Sequence, residues 1–281
     1  HKEWRDNIFG NSHEDAWRRD FTVNAIFYDP VKQNFLDFTG MGITDLEKGI
    51  VRCIGNPEER ITEDPVRIIR GLKLCAQYGF EIDSETESAM TRHIELVSKC
   101  SISRLSLEVQ KILHKPFSHK ILQIFKEYGI LKVVLPFLHY NWDTPETKYM
   151  LELLEERNQR LLKGCYRDST SLAIAGCVLP FAEKRFGTPF QLWEHRHGIE
   201  SSLRKLLFEI FYPCSFPKQL TVASVLILLL QPFLKSLNAK KSILRNRRFP
   251  TAKELLIIQN NLKWHDIELE KFWTEQIAGK Y

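Results

Sequence analysis

The chain has 281 residues, of which 43% are hydrophobic and 27% charged, the composition of a folded protein with a sizeable core rather than of a disordered or fibrous one. Six cysteines without any CxxC spacing exclude a zinc-ribbon or disulfide framework, and the alternating histidines of the EHRH stretch at 194–197 do not have the spacing that specifies a metal. The net charge of +5 is unevenly placed: seven cations and no acid lie between positions 235 and 253, so the rest of the chain is slightly negative.

In chain order, NAIFYDPVKQNFLDF reads as two short strands joined at Asp29 and Pro30, and GIVRCIG as a third, together a small α/β piece over 1–55. From Asn56 onward the apolar spacing is helical. It predicts helices over 64–78, 84–97, 103–114, 118–127 and 148–162, with more to the end, and soft boundaries near 140 and 235. The longest apolar run, 225–230, is shorter than the ~20 residues of a membrane span, and the N-terminal residues are charged rather than signal-like. A buried helix of a cytoplasmic protein with no membrane contact is expected there.

The segment ITEDPVRIIRGLKL places an acid before a proline and then a cation at every third position. Proline disfavours helical geometry at the residue before it, so Asp64 is expected as the N-cap of a helix with Pro65 at its first position. On that helix Ile68, Ile69, Leu72, Cys75 and Ala76 gather on one side, and Asp64, Arg67, Arg70 and Lys73 wind around the other. The plain reading of this stripe is a solvated Asp64–Arg67 pair on a capped amphipathic helix.

Four blocks occur in order: RRDFTVNA from Arg18 to Ala25, GITDLEKGIVR from Gly42 to Arg52, EDPVR from Glu63 to Arg67, and SRLSLE from Ser103 to Glu108. Their order resembles the class II nucleotidyltransferases, which comprise the bacterial poly(A) polymerases and the CCA-adding tRNA nucleotidyltransferases. The RDNIFG lead-in, IGNPEER, SRLSLEVQKILHK and the RNRRFPTAKELLIIQ and LEKFWTEQ stretches look more like the poly(A) polymerase branch, so the similarity runs from about Arg5 to Gln276. The resemblance implies a mainly α chain. Residues 1–55 would be the C-terminal part of a small α/β nucleotidyltransferase head, 56–140 a helical neck carrying a nucleotide-selecting helix, 141–234 a helical body, and 235–281 a basic helical tail that binds RNA.

The function so implied is template-independent addition of AMP from ATP to RNA 3′ ends, on mRNA or tRNA. The alternatives are a CCA-adding enzyme and a non-catalytic RNA-binding protein derived from the same family. The family's catalytic aspartate pair, in a GG-x-x-RD…D-x-D block, does not occur here. Mg²⁺ is therefore expected to be held mainly by residues outside this chain, which is expected to be the later portion of a longer protein and inactive by itself.

Several residues inherit roles from the resemblance. Arg19 would contact phosphate, Asn24 the sugar or the backbone, and Asp20 would be a catalytic carboxylate; the plain reading of that block is a helix end capped by its own charges. Asp64 would accept from an exocyclic amine while Arg67 donates to the adjacent ring nitrogen, which suits adenine N6 and N1, or cytosine N4 and N3 after a small shift. Arg70 and Lys73 would extend toward triphosphate; the family often has arginine at both, so Lys73 keeps the charge and loses the fork. Arg104 and Glu108 are read as an intrahelical pair outside the site. Phe35, Phe38, Ile54, Leu72 and Leu74 are expected to pack the junction between the α/β piece and the first helices. Lys240, Lys241, Arg245, Arg247 and Arg248 are expected to track RNA phosphates, the ordinary alternative being a solvated helix face.

Overall fold

The computed structural model describes residues 11–167, 169–187, 196–237 and 241–278, without the side chains of 196–198 and 277–278. The RDNIFG stretch, Glu194 and His195 of EHRH, and Lys240 therefore lie outside the described residues. The chain divides into two compact units, His1–Cys100 and Ser101–Tyr281. The boundary expected near 55 falls inside the first and those near 140 and 235 inside the second.

In the first unit, Asn11 caps α1 (Ser12–Arg18) by accepting from the Glu14 N–H at 2.9 Å. A 3-10 turn, Thr22–Asn24, leads into an antiparallel hairpin of β1 (Ile26–Asp29) and β2 (Asn34–Asp37). Then come α2 (Gly42–Lys48), β3 (Ile50–Val51), α3 (Pro57–Glu63), α4 (Val66–Tyr78), β4 (Glu81–Ile82), which pairs in parallel with β3, and α5 (Ser84–Arg92). The hairpin matches the two strands expected on either side of Asp29 and Pro30. Strand parity sets Phe27 on the face that packs on Ala16, Ala25 and Ile54 together with Phe38, while Tyr28 and Phe35 face each other on the outer side. Phe35 is 65% exposed, which corrects its expected place in the core; Ile54 and Leu72 are buried as expected.

The start of α4 is also corrected. Because it precedes Pro65, Asp64 sits at φ −140° and ψ 88°, and this break ends α3 as well as starting α4. Asp64 is thus the C-cap of α3, although its Oδ1 still accepts from the Val66 N–H at 3.3 Å. Arg67 leaves the expected solvent stripe: it is 7% exposed, buried beside Ile68, Ile69 and Leu72.

The second unit is all helical among its described residues. It comprises α6 (Ile102–His114), α7 (Ser118–Glu127), α8 (Leu131–Val134), α9 (Pro136–Tyr140), α10 (Pro145–Leu162), α11 (Thr170–Phe186), α12 (Arg196–Phe211) and α13 (Lys218–Lys235). After these come α14 (Lys241–Leu244), α15 (Phe249–Gln259), a π turn Asn260–Trp264, and α16 (Ile267–Ala278). Every residue of α11 from Ser171 to Ala182 is buried, because α6, α10, α12, α13 and α15 surround it. A helix covered on all sides has no polar face, which explains its uniformly apolar sequence. Among the described residues α13, which carries the 225–230 run, is the one helix long and apolar enough to cross a membrane; here it packs against α11, α12 and α15. Inside this packing Gln231 on α13 donates to the Ala252 carbonyl and accepts from Gln259, both on α15, so the buried amides link the two helices.

The C-terminal helix is stitched to this core by Trp273. The indole is 1% exposed, donates to the Leu234 carbonyl at 3.0 Å and packs on Phe249. Trp273→Ala removes this anchor and its hydrogen bond together, and is expected to lower stability by about 3–5 kcal/mol in urea denaturation. An unchanged midpoint would show that α16 does not hold the unit together.

Candidate functional site

Each fixed position of the Gly42–Arg52 block has a physical task. A Cβ on Gly42 would lie 2.7 Å from the Thr22 carbonyl, so only glycine lets α2 press against the turn that follows Asp20. Gly49, at φ 67°, ends α2 in the left-handed region and turns the chain into β3. Asp45 is 1% exposed; its carboxylate accepts from the Thr22 hydroxyl at 2.7 Å and from Arg52 Nε at 3.0 Å. Arg52 also pairs with Asp83, whose Oδ2 accepts from Thr86, and the Thr86 hydroxyl accepts from the Cys53 N–H. This chain of bonds fixes the Thr22 turn against β3 and α5.

Held by that frame, the Arg18–Ala25 block presents its polar groups in a set order. Arg19 donates to Asp15 at 2.9 Å and to the Asn24 carbonyl at 2.8 Å, lies 4.9 Å over the Phe27 ring, and keeps a side chain 43% exposed. Its fork is therefore aimed while one edge still faces solvent. Asp20 Oδ1 accepts from the Phe21 N–H and from Asn24 Nδ2, both at 2.9 Å, and Oδ2 lies 3.8 Å from Arg70. Arg19, Asp20, Asn24 and Arg70 are thus brought together. Lys73 follows one turn later on α4, half-buried.

Arg67 does not take Asp64 as its counter-ion. Its Nη1 donates to Glu63 Oε2 at 2.9 Å and to the Arg60 carbonyl near the end of α3, which also accepts from the Asp64 N–H at 3.2 Å. Glu63 Oε2 also accepts from Arg60 Nη1 at 2.6 Å, and Arg60 Nη2 reaches back to the carbonyls of Arg18 and Arg19 at 3.1 and 2.8 Å. Arg60, Glu63, Asp45 and Arg52 were not among the expected site residues. The spacing Arg60-x-x-Glu63 was an available signal, since i,i+3 pairs meet on one helix face, whereas the Glu63–Arg67 pair crosses the break at Asp64 and Pro65.

In the second unit Lys241, Arg245 and Arg247 are exposed and Arg248 is half-buried. None of the four forms an ion pair among the described residues. Lys235 differs: it is half-buried, bonds Glu183 at 3.2 Å and lies 4.6 Å over Trp264, so it is tied to the helical packing and not to the basic surface.

Among the described residues no three His, Cys, Asp or Glu side chains converge on a metal position.

Residues 2–52 match the poly A polymerase head domain, and residues 79–141 match a probable RNA and SrmB-binding site of polymerase A. Poly(A) polymerase I of Escherichia coli is 29% identical over 282 residues, covering 96% of this chain and 60% of that protein. A CCA-adding enzyme of Staphylococcus saprophyticus is 37% identical over 131 residues, covering 47% of this chain and 32% of that protein. A crystal structure of a tRNA nucleotidyltransferase complexed with a primer tRNA and an incoming ATP analog shares the fold, with a TM-score of 0.60 at 18% identity over 96% of this chain and 75% of that one. The chain spans about 60% of the length of the poly(A) polymerases it matches.

The frame itself is testable through Asp37, which holds the start of α2. Burial pushes its carboxyl up. The Thr39 hydroxyl at 2.7 Å and the N–H groups of Ile43, Thr39 and Gly40 outweigh that and hold it below its ordinary 3.8. A depressed carboxylate stabilises fully above its unfolded value and ceases to as pH falls through the folded one. Urea denaturation from about pH 7 down to about pH 2 should therefore show the gap between wild type and Asp37→Asn closing in acid. A gap of constant size would mean that Asp37 does not titrate with folding.

Proposed function

Because the chain belongs to the class II nucleotidyltransferase family, we propose that it takes part in template-independent addition of AMP from ATP to RNA 3′ ends. The observation that carries this reading is the buried Arg67, pinned by Glu63 and the Arg60 carbonyl, one turn along from Asp64. A pinned guanidinium beside a carboxylate offers a donor to adenine N1 and an acceptor to N6; guanine and uracil present a ring N–H where the arginine needs an acceptor. Arg19, Arg70 and Lys73 supply cations for the triphosphate, and Asp20 orients Asn24 and Arg70 behind them. RNA runs along residues 79–141, following the family description of that segment, and along the exposed cations of the second unit. Mg²⁺ is assigned to carboxylates outside this chain, and a cytoplasmic location with no membrane contact fits these partners.

CCA addition is the second reading, favoured by the 37% identity to a CCA-adding enzyme and by the ability of the same pair to serve cytosine. Expressing the complete reading frame and offering each nucleotide in turn, to a generic RNA and to a tRNA lacking its 3′ end, separates the readings. ATP incorporation into generic RNA supports poly(A) synthesis. CTP followed by ATP on tRNA alone supports CCA addition, and no incorporation by the complete protein supports a non-catalytic RNA binder. The 281-residue chain by itself is expected to incorporate nothing with either Mg²⁺ or Mn²⁺.

Backbone-held RNA releases counterions, so the logarithm of affinity falls with the logarithm of salt by ~0.7 per contact. Replacing Arg245, Arg247 and Arg248 together with glutamine should flatten that slope by about two units and weaken different RNA sequences about equally. Titration of labelled oligoadenylate at several salt concentrations measures it. Identical slopes for wild type and the triple variant would remove these arginines from the RNA path.

A further inference from the structure

Arg60 carries no assigned role, yet it touches both halves of the proposed site. Its guanidinium donates to the carbonyls of Arg18 and Arg19, residues 41 and 42 positions earlier, and to Glu63 Oε2. Its own carbonyl receives Arg67. The stem packs beside Gly55, which sits between β3 and α3 at φ 81°, in the left-handed region that favours glycine. The Arg60 side chain is 18% exposed, and its Nε is buried with no partner among the described residues. A cation held this way is poorly placed for stability alone, because a buried unpaired donor costs free energy.

We propose that Arg60 is a positioning residue that couples the Arg18–Arg19 carbonyls to the base-reading Arg67 through the shared Glu63 carboxylate, so that nucleotide discrimination depends on it. The inference rests on reading Arg67 as the base reader. Glu63 is 61% exposed and would sample several rotamers if Arg67 were its only partner; the second guanidinium holds its Oε2 in one place. With Glu63 fixed, Arg67 keeps its donor where adenine N1 accepts and guanine N1–H clashes. With Glu63 loosened, Arg67 can turn aside and guanine is no longer penalised. The same loss frees the two carbonyls that hold the backbone of Arg19, so phosphate placement slackens together with base reading.

The test uses the protein of the complete reading frame and compares kcat/KM for ATP and GTP in wild type, Arg60→Met and Arg60→Lys, with melting temperature measured alongside. Arg60→Met is expected to reduce the ATP-over-GTP ratio roughly tenfold, the loss of a hydrogen bond between charged groups. Arg60→Lys should retain part of it, because an ammonium reaches Glu63 or the carbonyls but cannot fork to both. KM for RNA should not change. If Arg60→Met does not fold, Glu63→Gln is the second variant: it keeps an acceptor, loses the charge that binds two arginines, and should lower the ratio in the same direction. An equal loss for all nucleotides with the ratio intact, in Arg60→Lys or Glu63→Gln, overturns the coupling and leaves Arg60 a structural residue. A wild-type protein that shows no nucleotide preference overturns the base-reader reading itself, and the coupling with it.

Discussion

A carboxylate with about one hundredth of its surface in contact with water needs donors around it, and Asp45 has them from different places in the chain. Thr22 comes from the turn after Asp20, and Arg52 from the end of β3. Through Arg52 the bonding continues to Asp83 at the start of α5 and on to Thr86 and Cys53. Losing any one donor would strand a buried charge, so these elements keep one arrangement or the unit loses several kcal/mol. The turn that carries Arg19, Asp20 and Asn24 is thereby held in one arrangement by the fold itself. Preorganisation of this kind is what lets weak polar contacts discriminate between bases, since their cost in ordering has already been met by folding.

The sequence was most legible where a single force dominated. Ser118–Glu127 and the C-terminal part of Pro145–Leu162 follow a plain apolar repeat and lie where periodicity places them. The hairpin on either side of Pro30 was visible because turn residues and alternating aromatics agree. Ser12–Arg18 and Gly42–Lys48 were invisible as helices: each has seven residues, too few for an apolar repeat, and each is held by tertiary partners. Phe35 was misplaced because composition treats every aromatic as core, while strand parity puts this one outside.

The inward turn of Arg67, buried, and of Lys235, half-buried, escaped the same logic for a related reason. Periodicity assigns a cation to the solvent side unless a partner is known to wait inside, and both partners are set by the fold. For Arg67 they are Glu63 and a carbonyl at the end of α3, an element whose separate existence depends on reading Pro65 as a terminator as well as a start. For Lys235 they are Glu183 on α11 and the Trp264 ring, far apart in sequence. The family blocks, by contrast, mark segments whose side chains the structure brings together, Arg19, Asp20 and Asn24 with Arg70.

Two arginine environments in this chain suit the two tasks proposed for it. Reading a base edge requires a donor whose position is known to within a hydrogen-bond length, which favours a desolvated guanidinium with fixed neighbours such as Arg67. Tracking a phosphate backbone requires charge and reach and tolerates mobility, because every phosphate is alike; Arg245 and Arg247, exposed and outside any ion pair among the described residues, have that character. Exchanging the two environments would fail in both directions. A mobile arginine in the place of Arg67 would accept guanine as readily as adenine, and a buried one in the tail would hold a single phosphate and stop the strand from advancing.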